Sequence, residues 1–156
     1  MVTATPTQII KGESVNDVSE DGGTLISAAV SPAPGAVLVI EDCEPLLFFL
    51  NSALLSLGYE NQHLAANLAE AEAVWAIHKD QIQHVILNYE LPDGLGPEFA
   101  VRILRDRPDV NIVITTGYDI ASIRDTCSDA NSVQFLQKPF RLSDLQEGLS
   151  ARPAAV

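Results

Sequence analysis

The protein has 156 residues, which is enough for one globular domain of ordinary size and a short extension. Hydrophobic residues make up 47% of the chain and charged residues 19%, a composition that supports a packed core and excludes a wholly disordered protein. The 21 acidic residues outnumber the 9 basic ones and leave a formal charge of −12, so we expect neither a nucleic-acid partner nor a membrane partner.

The chain contains no apolar run near the roughly 20 residues of a membrane span, and its N-terminus lacks the pattern of a secretory signal. We therefore expect a cytoplasmic protein. Its two cysteines, Cys43 and Cys127, lack metal-ligand spacing and are expected to be reduced thiols.

Residues 1–35 have the composition of a flexible extension. They combine scattered Pro, Gly, Ser and Thr with four acidic residues and one lysine. The apolar run 25–30 is the part most suited to dock on the domain or on a partner. The character of the sequence changes at Ala36, and we expect residues 36–156 to form the folded domain.

Five apolar or β-branched runs predict strands, and a helical pattern follows each of them. The predicted strands are, in order, 36–40, 59–64, 84–87, 110–115 and 133–136. The predicted helices are one from Pro45 to about Leu57, one capped by Asn67 with Glu70, one from Pro97, a short one at 120–127, and a last one opened by a capping box of Ser143 and Gln146.

This alternation predicts an α/β fold in which five parallel strands form a doubly wound sheet with five helices. Ligands of such sheets bind beyond the carboxyl ends of the strands. Five polar residues come directly after the predicted strands, namely Glu41, Asp42, Asn88, Thr116 and Lys138. Oxygen ligands in this number suit Mg²⁺, and the lysine and threonine suit a phosphoryl group.

The strand-end motifs resemble those of the receiver domain of two-component response regulators, over residues 36–150. The motifs are Val37-Leu-Val-Ile-Glu-Asp42, Leu87-Asn-Tyr-Glu-Leu-Pro-Asp-Gly94, Ile114-Thr-Thr-Gly-Tyr118 and Leu136-Gln-Lys-Pro-Phe140. The resemblance implies the flavodoxin-like, chemotaxis-type fold with strand order 2-1-3-4-5. The third and fourth motifs are similar to the stand-alone receivers of alphaproteobacteria that pair with HWE-type kinases.

In this family an aspartate after strand three accepts a phosphoryl group from a histidine kinase or a phosphotransfer protein, with Mg²⁺ as cofactor. The resemblance implies that Asp42 and the backbone carbonyl of Glu90 contact the cation directly and that Glu41 contacts its water shell. It also implies that Thr116 and Lys138 bind the phosphoryl group.

Position 88 departs from the family, because Asn88 stands where the phospho-acceptor aspartate is expected. A conjugated amide cannot attack a phosphohistidine, so we expect this chain not to be phosphorylated and its affinity for Mg²⁺ to be weakened. Two explanations are open. Either Asn88 is an engineered replacement that holds an active regulator in its unphosphorylated state, which the retention of the other site residues favours, or the protein is a natural pseudo-receiver that acts by protein–protein binding.

Two aromatic residues are candidates for the switch that reports phosphorylation in this family. Phe135 stands three residues before the lysine, although a core phenylalanine on a buried strand explains it equally well. Tyr118, close to Thr116, is the second candidate.

The pattern of apolar residues in helix one predicts a partner-binding surface. At about 100° per residue, Leu47, Phe48 and Leu55 fall opposite the arc that faces the sheet. That arc consists of Leu46, Phe49, Leu50, Ala53, Leu54 and Leu57. An exposed apolar cluster marks an interaction site, and helix one is where kinase helices dock in the family. The alternative is that the run 25–30 folds back over these residues.

We expect no enzymatic activity. The acidic residues after strand one have the wrong sign for a flavin-type phosphate loop, and no nucleophile elbow or Ser–His pair is present in the sequence. The sequence ends directly after the last predicted helix, so we expect a stand-alone receiver whose output is contact with a downstream protein target, as a phosphorelay shuttle or a sequestering partner.

Overall fold

A computed structural model describes residues 35–127 and 132–151. Apart from Gly35, the predicted extension 1–35 lies outside these residues, so the domain boundary stays a prediction. The elements are β1 (Ala36–Ile40), α1 (Glu44–Ser56), β2 (Gln62–Ala65), α2 (Leu68–His78), β3 (Ile82–Asn88), β4 (Glu90–Leu91), β5 (Gly94–Leu95), α3 (Gly96–Asp106), β6 (Asn111–Thr116), α4 (Ile120–Ile123), a 3₁₀ helix (Arg124–Thr126), β7 (Gln134–Gln137) and α5 (Leu142–Ser150).

Five of the strands form one parallel sheet in the order β2-β1-β3-β6-β7. These are the five predicted strands, so the predicted order 2-1-3-4-5 is confirmed. The short strands β4 and β5 pair separately as an antiparallel hairpin within the segment expected to be a loop. All five strands of the sheet run in one direction, and their carboxyl ends therefore lie along one edge.

The sheet is buried on both faces, which explains the uninterrupted apolar runs of its central strands. Leu38 and Ile40 belong to a core shared with α2 and α3, whereas Val37 and Val39 belong to a core shared with α1 and α5. Alternate residues of β1 thus serve opposite layers. No helix in the described part of the chain is both long and apolar enough to cross a bilayer.

Most helix boundaries follow the predicted signals. Pro45 lies in the first turn of α1, and Gly58 ends that helix region with a positive φ of 96°. The side chain of Asn67 caps α2 by accepting a hydrogen bond from the backbone N–H of Glu70 at 2.8 Å.

The predicted start of the last helix is wrong. Helix α5 begins at Leu142, so Ser143 lies inside it and is not its cap. The capping acid is Asp144, which accepts a hydrogen bond from the backbone N–H of Arg141 at 2.9 Å. Asp144 is the third residue of α5 and therefore takes the position in the capping box that was predicted for Gln146.

The predicted faces of helix one also need correction. Phe48 and Leu55 are exposed as expected, at 71% and 51% of their surface, but Leu47 is half-buried against the α1–α5 core. Phe49, expected to face the sheet, is 41% exposed and lies beside Phe140, with 6.3 Å between ring centroids. Helix α1 is apolar on nearly every side, so its helical period did not identify the buried face.

One buried amide fixes the end of α5 to the sheet. Asn111, at the start of β6, donates hydrogen bonds to the carbonyl oxygens of Gly148 and Leu149, both at 3.1 Å. Its side chain is almost fully buried, so these carbonyls depend on it for hydrogen bonding at the end of the helix.

We expect Asn111→Ala to lower the free energy of unfolding by roughly 1–3 kcal/mol, because one buried and one partly buried acceptor lose their donor. Urea denaturation followed by circular dichroism measures this loss. Ser150→Ala is the control, since it removes an exposed hydrogen bond from the same turn. Equal losses from both variants would contradict the role given to Asn111.

Candidate functional site

The carboxyl edge of the sheet brings together the five polar residues predicted from the sequence. They line an open pocket of about 530 Å³. Glu41 and Asp42 follow β1, Asn88 ends β3, and Thr116 ends β6. Lys138 follows β7 and precedes a cis bond to Pro139. The expectation that these residues converge is confirmed.

Glu41 is a buried carboxylate with a partner at each oxygen. Only 1% of the residue is exposed. Its Oε1 accepts a hydrogen bond from the backbone N–H of Cys43 at 2.9 Å, and its Oε2 lies 3.1 Å from the Nζ atom of Lys138. A buried charge of this kind is tolerated when it is paired and hydrogen-bonded, as Glu41 is.

The Asn88 side chain links the other groups of the pocket. Its Oδ1 accepts a hydrogen bond from Lys138 Nζ at 3.0 Å. Its Nδ2 donates to Asp42 Oδ1 at 2.9 Å and to the backbone carbonyl of Glu90 at 2.7 Å, and it lies 3.4 Å from Glu41 Oε1. The amide therefore contacts residues that follow three different strands of the sheet, β1, β3 and β7.

The chemistry of its neighbours fixes the orientation of this amide. An ammonium group has only donors, so Lys138 must face the amide oxygen. Carboxylate and carbonyl oxygens have only acceptors, so Asp42 and the Glu90 carbonyl must face the amide nitrogen. A flipped amide would lose all three hydrogen bonds.

Thr116 and Tyr118 also line the pocket. Thr116 is fully buried, and its hydroxyl oxygen accepts a hydrogen bond from the backbone N–H of Tyr118 at 2.9 Å. The Tyr118 hydroxyl donates to a Glu90 carboxylate oxygen at 3.0 Å. This hydrogen bond raises the pKa of Tyr118 and connects the loop after β6 to the β4–β5 hairpin.

The first switch candidate, Phe135, lies away from the pocket lining. Phe135 is half-buried against the α2–α3 core, and the Arg124 guanidinium lies over its ring, 5.0 Å from the centroid. Its switch role stays a prediction. The partner-binding role of Leu47, Phe48 and Leu55 also stays a prediction.

Within residues 35–127 and 132–151, no group of three or more His, Cys, Asp or Glu side chains is arranged to hold a metal ion. The expected cation ligands are nevertheless close together, since Asp42, Glu41 and the Glu90 carbonyl all lie near Asn88 Nδ2. What they surround is an amide N–H₂ group.

Two residues that position the site were not singled out from the sequence. A side chain at Gly96 would collide with the carbonyl oxygen of Asn88, so glycine allows α3 to begin against the end of β3. Asp93 accepts hydrogen bonds from the backbone N–H groups of Leu68 and Ala69, at 2.9 and 3.0 Å. Both lie in the turn-rich segment 92–97. Glycine and aspartate are common in turns, so the sequence contains no further sign of these contacts.

Residues 37–150 match the sequence profile of the response regulator receiver domain. The KDP operon transcriptional regulatory protein KdpE of Escherichia coli (strain K12) is 34% identical over 116 residues, which cover 72% of this chain and 48% of KdpE. The response regulator receiver protein CpdR of Brucella abortus (strain 2308) is 27% identical over 109 residues, which cover 70% of this chain and 88% of CpdR. The chain thus spans about half of one relative and most of the other.

A solved complex of CheX, CheY, BeF₃ and Mg²⁺ from Borrelia burgdorferi contains a similar fold. It aligns with a TM-score of 0.67 and 19% identity over 74% of this chain and 87% of that chain. At this level of identity the likeness supports the fold alone.

We expect Asp93→Asn to lower the urea midpoint at neutral pH. The backbone N–H groups of Leu68 and Ala69 lower the pKa of Asp93, so its carboxylate stabilises the fold above the unfolded-state pKa. That contribution is lost as the pH falls through the lower folded-state pKa. The difference between the variant and the unmodified chain should therefore shrink in acid.

Urea titrations at several pH values measure this difference, with Glu98→Gln, which removes an exposed carboxylate of α3, as the control. A difference that stays constant from neutral to acid pH would contradict the role of the Asp93 charge.

Proposed function

The chain belongs to the response regulator receiver domain family, and on this basis we propose that it is a stand-alone receiver that Asn88 holds in its unphosphorylated form. Receiver domains are signalling modules of two-component systems. They interact with histidine kinases or phosphotransfer proteins and with downstream targets. In this proposal the chain retains those contacts but cannot accept a phosphoryl group.

The proposal rests on the position of the Asn88 amide. It lies among Lys138, Asp42 and the Glu90 carbonyl, at the centre of an otherwise complete receiver pocket. A carboxylate there has a free oxygen lone pair for attack on phosphorus, whereas the amide nitrogen lone pair is conjugated. The pocket therefore keeps its binding groups and lacks its nucleophile.

Receiver domains generally bind Mg²⁺ at the phosphorylation site. In a form of this chain with aspartate at position 88, Asp42 and the Glu90 carbonyl would hold the cation and Glu41 would contact its water shell. The cation would supply charge neutralisation for the phosphoryl oxygens. With Asn88 one anionic ligand is absent, and we expect its affinity to be lower.

The exposed face of α1 is the surface we assign to the kinase or phosphotransfer partner. Phe48 and Leu55 are seven residues apart, which places them on one side of the helix two turns from each other. Phe49 continues this apolar surface into a groove of about 540 Å³ beside Pro139 and Phe140. Leu47, being half-buried, supports the surface from below.

The two explanations of Asn88 differ in what an aspartate would restore. If Asn88 replaces the aspartate of an active regulator, the remaining residues form a working site, as the intact Lys138 and Thr116 contacts support. A natural pseudo-receiver acting by protein contacts alone has no requirement for a site that can still react.

We expect Asn88→Asp to gain a labile phosphoryl adduct when it is incubated with acetyl phosphate and Mg²⁺. The introduced carboxylate oxygen attacks phosphorus, acetate leaves, and an acyl phosphate remains. Intact-mass spectrometry detects the added phosphoryl group. The unmodified chain is the control and should stay unmodified. An adduct on the unmodified chain, or none on the variant, would contradict the proposal.

We expect the double variant Phe48→Glu, Leu55→Glu to weaken binding to the dimerisation domain of an HWE-type histidine kinase at least about tenfold, because two exposed apolar contacts are replaced by charges. Ile77→Glu is the matched control, since Ile77 is 74% exposed on α2, across the sheet from α1. Isothermal titration calorimetry compares them. Equal effects of the double variant and the control would rule out the α1 surface.

A further inference from the structure

The nitrogen of the Asn88 amide lies where three oxygen atoms from three residues meet. The Glu90 carbonyl oxygen is 2.7 Å away, Asp42 Oδ1 is 2.9 Å away, and Glu41 Oε1 is 3.4 Å away. These are the same oxygens that we assigned to a divalent cation or to its water shell. The amide and such a cation would therefore compete for one small space.

An amide nitrogen can hold these oxygens but cannot share them with a cation. Each of its two N–H groups donates a hydrogen bond, and its conjugated lone pair is unsuited to a metal. Mg²⁺ needs oxygen ligands at about 2.0–2.1 Å in nearly octahedral geometry. To reach Asp42 and the Glu90 carbonyl it would have to displace the amide and break both hydrogen bonds. As they stand, these residues do not fit a cation.

The neutral amide also makes the pocket less negative than an aspartate at position 88 would. Its lining contains one basic residue, Lys138, against the carboxylates of Glu41, Asp42 and Glu90. An aspartate at position 88 would add another carboxylate within hydrogen-bond distance of Asp42, and like charges at this distance repel strongly when they are partly buried. The neutral amide removes that charge and supplies two donors in its place.

We propose that the Asn88 carboxamide is a built-in replacement for the divalent cation. It holds the loops after β1 and β3 together, and the pocket keeps one form whether or not a cation is present. Contacts that a partner makes at this end of the domain are then independent of Mg²⁺. The inference rests on the proposed function only for the choice of cation ligands.

Thermal unfolding of the 156-residue chain and of Asn88→Asp is compared in EDTA and across a Mg²⁺ titration. The unmodified chain should show the same melting temperature throughout. Asn88→Asp should melt lower in EDTA and rise with Mg²⁺, since a ligand that binds the folded state stabilises it. Calorimetry under the same conditions should detect Mg²⁺ binding to the variant and none to the unmodified chain.

Two further variants, Asn88→Ala and Glu98→Gln, are measured under the same conditions. Asn88→Ala removes the donors without adding charge, so it should melt lower than the unmodified chain in EDTA and gain more from Mg²⁺. Glu98→Gln alters net charge outside the pocket and should behave like the unmodified chain. The proposal is overturned if Mg²⁺ stabilises the unmodified chain as much as Asn88→Asp, or if Asn88→Ala matches the unmodified chain in both conditions.

These measurements involve neither phosphorylation nor a partner. A failure of the cation-replacement proposal is therefore distinguishable from a failure of the proposed receiver function.

Discussion

The hydrogen bonds that meet at the Asn88 amide are the interaction on which the site depends. Lys138 donates to the amide oxygen, and the amide nitrogen donates to Asp42 and to the Glu90 carbonyl. Through these contacts one neutral side chain connects the ends of β1, β3 and β7. The same lysine also pairs with Glu41, whose burial would otherwise leave an uncompensated charge inside the domain.

In the proposed function the change from aspartate to amide at position 88 removes the nucleophile but leaves the hydrogen bonds of the pocket in place. The aspartate that the family uses as nucleophile is also a ligand of its cation, so a single change of residue affects both roles. With asparagine at position 88, the side-chain amide itself donates hydrogen bonds to Asp42 and to the Glu90 carbonyl. The signalling role that we propose then rests on the surface of the domain, where Phe48 and Leu55 of α1 are exposed.

Much of the fold followed from the sequence, because each central strand is an uninterrupted apolar run and a parallel sheet buried on both faces requires such runs. The site followed from topology, because parallel strands end at one edge. Local chemistry was harder to predict. Arg141 and Asp144 form the capping box of α5, rather than Ser143 and Gln146, and the Asp144 carboxylate accepts a hydrogen bond from the backbone N–H of Arg141.

The face of α1 was partly mispredicted, because a helix with leucine or phenylalanine on every side carries no clear periodic signal. Its orientation is set by packing against the sheet and α5, where Leu47 lies inward and Phe49 reaches Phe140. The orientation of the Asn88 amide could not be read from spacing either. It depends on which neighbours donate and which accept, and those neighbours meet only in the folded domain.

Hydrogen exchange of the Asn88 side-chain amide, followed by nuclear magnetic resonance with and without Mg²⁺, would show whether this amide holds the pocket together. We expect exchange much slower than for the exposed Asn61, with resonances that do not move when Mg²⁺ is added. Exchange as fast as that of Asn61, or a Mg²⁺-dependent shift of the Asn88 resonances, would show that the amide does not hold the pocket together.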